Sequence, residues 1–202
     1  MKKLLIVGAV ALFASMNAQE TETVGFAKGN TFITGAVGFN SETEGDYKNN
    51  TFTVAPSVGY FVSPNIAVGA RVGFTSGKES DKIATVTVEE KSNLFTAGLF
   101  GRYYWMPASR FSIFAELGAD YGTEKITTET PAGDVESKYN GFNIGFAPGI
   151  SYFLSSNFAL EAKVGVVNYS TTKEDVSGAE STDNFNIGLN LNNVALGLVY
   201  KF

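Results

Sequence analysis

Three observations predict an all-β chain folded as an eight-stranded antiparallel up-and-down transmembrane β-barrel. Eight segments alternate large apolar or aromatic residues with small or polar ones, short and long connections succeed one another regularly, and the apolar face of the segments is almost free of charge. Successive side chains of a strand point to opposite faces, so this chain builds a sheet that is greasy on one side only. Its 22 glycines and 17 phenylalanines fit a barrel with an apolar outside and a small, polar inside.

The first element is a leader. Lys2 and Lys3 precede the apolar run from Leu4 to Ala14, and Ala18 supplies a small residue for cleavage, the layout of a secretory signal peptide over residues 1–18. That run is too short for a spanning helix, and nothing later reaches the roughly 20 apolar residues that one needs. Residues 19–202 then form one domain, the barrel. With no cysteine there is neither a disulfide framework nor a lipidated anchor residue.

The eight strands are expected at Thr31 to Asn40, Thr51 to Val62, Ile66 to Ser76, Asn93 to Trp105, Phe111 to Tyr121, Gly141 to Leu154, Phe158 to Tyr169 and Phe185 to Phe202. Each is long enough to cross a bilayer when tilted. Ser63-Pro64-Asn65, Met106 to Arg110 and Ser155-Ser156-Asn157 are short connections. Ser41 to Asn50, Gly77 to Ser92, Gly122 to Asn140 and Ser170 to Asn184 are long polar loops. Short and long ends therefore face opposite sides, as in transmembrane barrels with short periplasmic turns and longer extracellular loops. An even strand number puts both termini on the periplasmic side.

A hairpin is repeated. Ala55 to Gly73 aligns without gaps on Ala147 to Gly165, and a degenerate copy surrounds Tyr103-Tyr104-Trp105 and Ser112-Ile113-Phe114. Pro56 and Pro148 lie inside strands, where a missing N–H marks a bulge or bend. A third bulge or bend is expected at Asn192-Asn193, where the apolar parity shifts.

Parity sorts the two faces. Val58, Tyr60, Val68, Phe74, Leu99, Leu117, Phe146, Leu160, Val164 and Val166 are among the residues expected outside. The opposite face collects Arg71, Arg102, Glu116, Asp120, Glu161 and Lys163, whose charges sum to zero. A turn centred on Ser109 would set Arg102 opposite Glu116. Eight strands leave an interior just wide enough for side chains, which favours a structural network filling the lumen over a conduction path or a catalytic constellation. Tyr60, Tyr103, Trp105, Phe111, Tyr152, Phe158, Tyr200 and Phe202 gather beside the short turns or the last residue, as in an interfacial aromatic girdle.

Val194 to Phe202 places a large apolar or aromatic residue at every second position and finishes on Tyr200-Lys201-Phe202. With this last strand, the leader, the alternating segments and the asymmetric connections, the chain resembles the small OmpA/OmpX-type outer-membrane β-barrels, the outer membrane protein β-barrel domain or porin family. The resemblance implies a place in the bacterial outer membrane among its lipids and lipopolysaccharide, a monomeric state, and assembly machinery that reads Tyr200 and Phe202 as a signal. It also implies a role between envelope integrity, adhesion to a surface ligand that the sequence does not name, and slow solute passage. A small porin, or a soluble lipocalin-like barrel with its apolar face turned inward to a ligand, are the alternatives.

Other classes are weakened by composition. The chain has no histidine, so Ser-His and Asp-His mechanisms are closed, and Glu116 and Asp120 are expected to balance cations instead of moving protons. We expect no enzyme, no cofactor and no metal site: the acidic segments Glu42 to Asp46 and Glu174-Asp175 lack the spacing of a calcium loop. A net charge of −5 argues against a nucleic-acid partner, and 15 of the 20 acidic residues but 7 of the 15 basic ones fall in the four long connections.

Overall fold

The computed structural model describes residues 24–83, 86–130, 133–189 and 194–202. The expected leader, residues 1–18, and the expected bend at Asn192-Asn193 lie outside the described residues.

Ten strand segments make eight walls. They are β1 (Thr31–Glu44), β2 (Tyr47–Phe61), β3 (Ile66–Ile83), β4 (Val86–Tyr104), β5 (Phe111–Thr130), β6 (Gly133–Phe153), β7 (Phe158–Val164), β8 (Val167–Glu174), β9 (Ser181–Ile187) and β10 (Val194–Lys201). Neighbours in sequence pair antiparallel from β1 through β6; β7 and β8 together form the seventh wall beside β6, and β9 and β10 form the eighth. The barrel closes where β1 meets β10.

The seventh wall is broken because its register shifts. Gly149 pairs with Lys163 but Phe146 pairs with Val167, so two residues of β6, Ala147 and Pro148, face three on the other side, Val164 to Val166. Pro148 has no N–H for this edge, and the bulge sits where the ladder has least to lose. The outward face consequently passes from Leu160 and Val164 to Val167 and Tyr169 across the bulge. At Pro56 the β2–β3 ladder is interrupted between Val54–Phe74 and Ser57–Arg71 without a change of register.

The repeated hairpin is a turn cassette. Ser63 Oγ accepts from the Ile66 N–H at 3.0 Å, and its counterpart Ser155 Oγ accepts from the Phe158 N–H at 3.1 Å. Asn65 Nδ2 donates to the Tyr104 carbonyl at 2.7 Å, and Asn157 Nδ2 donates to the Lys201 carbonyl at 2.9 Å. Each copy thus closes its own turn and pins the end of the next wall.

The apolar residues point outward, opposite to what a lipocalin-like interior needs. Tyr60, Tyr103, Trp105, Phe111, Tyr152, Phe158 and Tyr200 are exposed around the short-turn end. A second ring, Phe39, Phe52, Phe74, Phe95, Tyr121, Phe142, Tyr169 and Phe185, is exposed on the same outward face nearer the other end. Ten residues separate Trp105 from Phe95, Phe111 from Tyr121 and Tyr152 from Phe142. At about 3.3 Å per residue and a tilt near 40°, that is about 25 Å along the barrel axis, the height of a transmembrane apolar band.

Beyond this band the long connections depart from expectation. Most of their length is strand: β1 and β2 continue to a two-residue turn at Gly45-Asp46, and β3–β4 and β5–β6 remain paired to Ile83–Val86 and Thr130–Gly133. Threonines, valines and alternating charges suit projecting hairpins. Like charges stand directly opposite at Lys78–Lys91 and Lys125–Lys138, and diagonal partners relieve them, Lys78 Nζ to Glu89 Oε2 at 2.9 Å and Lys125 Nζ to Glu136 Oε2 at 2.6 Å. These lysine hydrogen bonds hold the Glu89 and Glu136 carboxyls below their ordinary value of 4.5. A depressed carboxyl stabilises the fold above the ordinary value and loses that contribution as pH falls through its folded value. Acidification below the carboxylate range should therefore lower the amide protection factors, taken relative to the intrinsic exchange rate at each pH, in the outer parts of β3–β6 while those of the walls within the band hold. Hydrogen-exchange mass spectrometry reads these factors, and unchanged hairpin protection would mean that the diagonal pairs contribute nothing.

Candidate functional site: the charged layer of the lumen

The inward parity of β3, β4, β5 and β7 brings all six expected charges into one network. Arg102 and Glu116 stand opposite in the β4–β5 ladder, and Arg102 Nε donates to Glu116 Oε2 at 2.6 Å. The same guanidinium donates through Nη1 to Glu161 Oε1 at 2.8 Å and to the Tyr104 hydroxyl at 3.0 Å. Arg71 grips Asp120 with two bonds of 2.6 Å and reaches Glu116 Oε1 at 2.8 Å. Lys163 Nζ donates to Glu116 Oε1 at 2.9 Å. Glu116 is the hub, since one carboxylate, 4% exposed, accepts from three cations supplied by three other strands.

Glycine makes the room. A Cβ at Gly118 would lie 2.2 Å from Arg71 Nη2, and one at Gly98 would lie 2.0 Å from Asp120 Oδ1. The pair fits because both facing positions lack side chains. Arg102 is further enclosed by the rings of Phe114, Phe100 and Phe32, with its guanidinium carbon 4.7, 5.0 and 5.5 Å from their centroids. Those rings lie against Gly149, Gly69 and Gly59, where a Cβ would meet them at 2.4 Å or less.

Toward the short turns the network rests on an aromatic floor whose centre is Phe26. This residue comes from the segment before β1, is 1% exposed, and packs its ring against Phe61 at 4.7 Å, Phe153 at 4.8 Å, Tyr104 at 5.3 Å and Phe32 at 5.5 Å. Its N–H donates to the Pro107 carbonyl at 2.7 Å, and Lys201 Nζ donates to the Gly25 carbonyl at 2.8 Å. Gly25 adopts φ +98°, and a Cβ there would lie 2.5 Å from the Ala108 carbonyl carbon, so glycine alone lets the segment enter the barrel mouth.

Sequence reasoning missed Phe26 and Tyr104 as lumen residues and left Lys201, on the inner face of the last strand, out of the charged set. Tyr104 was findable, because it shares the inward parity of Arg102. Lys201 shares that of Val199. Phe26 precedes the first alternating segment and carries no periodic signal. Of the two residues proposed to guide assembly, Tyr200 and Phe202 stand edge to face, centroids 4.9 Å apart, and Phe202 N–H donates to the Thr31 carbonyl at 2.9 Å.

A family profile described as outer membrane protein beta-barrel domain matches residues 5–202. The chain belongs to this family. Membership places the protein in the bacterial outer membrane. No curated protein matches the chain by sequence. Among solved structures, OprG of Pseudomonas aeruginosa is similar at 14% identity over 91% of this chain and 99% of that one, with a TM-score of 0.51. A major outer membrane protein of Thermus thermophilus is similar at 15% identity over 86% and 99%, TM-score 0.46. The attachment invasion locus protein Ail of Yersinia pestis is similar at 12% identity over 87% and 99%, TM-score 0.43. The OprG likeness is one of fold.

Chemically the layer is a set of matched ion pairs. The Glu116 and Asp120 oxygens accept from guanidinium and ammonium donors, the arrangement of buried charges that neutralise each other. Among the described residues no group of acidic side chains is arranged to hold a metal ion. Removing the hub leaves Arg102, Arg71 and Lys163 facing each other with too little negative charge. Glu116→Ala should cost about 3–5 kcal/mol, the scale of breaking a buried pair from one side, read as a lower unfolding midpoint in urea. A midpoint equal to that of the parent would show that Glu116 is not the hub.

Proposed function

We propose that the protein is an integral outer-membrane barrel with a structural or surface-interaction role, in envelope integrity or adhesion, and that its lumen is closed. One observation carries this reading. The charged layer and the Phe26 floor stack across the lumen at its short-turn end, and the ion pairs join walls that are not neighbours, β3 with β5, β4 with β7 and β5 with β7. A solute path would have to part ion pairs and rings together. The projecting hairpins, rich in acidic residues, are the natural place for contacts with the surroundings, and lipopolysaccharide bridged by divalent cations is one partner that such charge suits. The protein acts without catalysis or cofactor, as a monomer, with the hairpins facing the outside of the cell.

Planar-bilayer recording tests the closed lumen. The purified monomer should give no large, stable, ion-selective conductance, and its appearance would replace this reading by that of a small porin.

The last strand supports a second part of the proposal, that Tyr200 and Phe202 form the signal read by the assembly machinery. Until the barrel closes, the edge of β10 is open to pairing with another strand. Deleting Phe202 should lower the amount inserted in cells more than it lowers the stability of barrels refolded in detergent. Equal insertion of the truncated and full chains would reduce Phe202 to one more aromatic of the girdle.

A further inference from the structure

The ladder that closes the barrel is short. It joins Phe32–Gly35 of β1 to Leu198–Lys201 of β10. Beyond Gly35, β1 runs on to Glu44 and is paired along its β2 side; on its other side, among the described residues, no strand is paired with it. Across from it β9 is paired with β8 and the start of β10 with β7. Among the described residues a seam therefore separates β1 from the last wall.

The seam lies inside the apolar band. Val37, Leu196 and Phe39, at 76%, 75% and 74%, are the most exposed large apolar residues among those described, and among these residues each is paired with a strand on one side only. Phe39 belongs to the aromatic ring that bounds the band toward the hairpins. Open strand edges are not tolerated against lipid unless they line a cavity with polar walls, and this edge lines one.

Behind the seam is a cavity of about 450 Å³, within the ~300–1,000 Å³ of small-molecule sites. Gly35, Ala36, Leu196 and Gly197 line it at the seam, and Arg71, Arg102 and Lys163 line it together with Asp120 and Glu161, an excess of one positive charge. Three cations and two acids line this space, and the most open of them are Lys163 and Arg71, with side chains 33% and 24% exposed, against 18% for Asp120 and 5% for Glu161. Lys163 donates one hydrogen bond to Glu116, and an ammonium has three to give.

We infer that the seam and cavity form a lateral binding site for one long-chain carboxylate. The alkyl chain lies between β1 and β10, covering Val37 and Leu196 where a neighbouring strand would, and the carboxylate sits on Lys163 and Arg71. An apolar mouth opening into hydrocarbon and a lining with an excess of one positive charge select an amphiphile with this order of groups. The inference rests on the membrane placement of the apolar band and is independent of conductance, so the closed lumen and the site can fail separately.

The test is titration of radiolabelled palmitate into the full chain in phosphatidylcholine nanodiscs, with empty nanodiscs as the blank and hexadecanol as the neutral competitor. One palmitate should bind per barrel, saturably, and hexadecanol should compete poorly. Lys163→Gln should weaken binding about tenfold, the worth of one hydrogen bond to a charged group. Gly197→Phe should abolish it by filling the mouth. A Cβ at Gly197 meets Thr34 Oγ1 at 3.4 Å and the Gly35 carbonyl at 3.6 Å, ordinary contact, so the backbone has room for the change. Should that variant fail to fold by heat-modifiable mobility, Ala36→Phe blocks the same mouth from β1. The site is disproved by an absence of saturable palmitate binding, by hexadecanol competing as well as palmitate, or by undiminished binding in the blocked variant. It is equally disproved if Val37→Cys cross-links two barrels through their β1 edges and palmitate does not prevent it, since the seam would then be an interface between copies of this chain.

Discussion

Everything in this barrel depends on filling a narrow lumen that is encircled by an apolar belt. Charge in that position is stable only in matched pairs, because the surrounding low-dielectric wall strengthens both attraction and the penalty for a missing partner. Glu116 meets that constraint by accepting from Arg71, Arg102 and Lys163 together. Asp120 and Glu161 complete the balance on the outer sides of the two arginines. The network thus ties β3, β4, β5 and β7 across the lumen, in addition to the ladder that ties each wall to its neighbours.

The glycines and aromatics follow from the same constraint. Phe32, Phe100 and Phe114 lie flat against the inner wall only because Gly59, Gly69 and Gly149 present no side chain beneath them. Their rings then form a sleeve around the Arg102 guanidinium, whose flat, weakly hydrated charge suits an aromatic enclosure better than an ammonium would. Phe26 finishes the floor from outside the ladder altogether. With the short-turn end filled by rings and the next layer by ion pairs, a cavity begins at that layer and extends to the seam.

The two ends of the barrel answer to different surroundings. At the short turns, the paired serine and asparagine cassettes at residues 63–65 and 155–157 reverse the chain in few residues and hold the rim in register. At the other end the strands outrun the apolar band by many residues, and lysine–glutamate diagonals replace lipid contact as the lateral glue. The aromatic rings between these ends mark where the polypeptide passes from one solvent to the other.

Much of this was legible in the sequence because strand faces are a local property with a period of two. Alternation alone separates Arg71, Arg102, Glu116, Asp120, Glu161 and Lys163 from the outward residues, and the position of one turn sets Arg102 against Glu116. Where a side chain breaks local rules, as at Pro148, the sequence marks the bulge, though not which neighbouring strand takes the extra residue. The reach of the long hairpins was hidden because threonine, glutamate and lysine suit a loop and a solvated strand equally well, and pairing decides between them. Tertiary structure alone decided that Lys163 and Arg71 share Glu116, that Phe26 enters the mouth, and that β1 parts from the last wall after Gly35. Those meetings depend on the stagger accumulated around all eight walls and on the curvature that brings first and last together, quantities that no single segment carries.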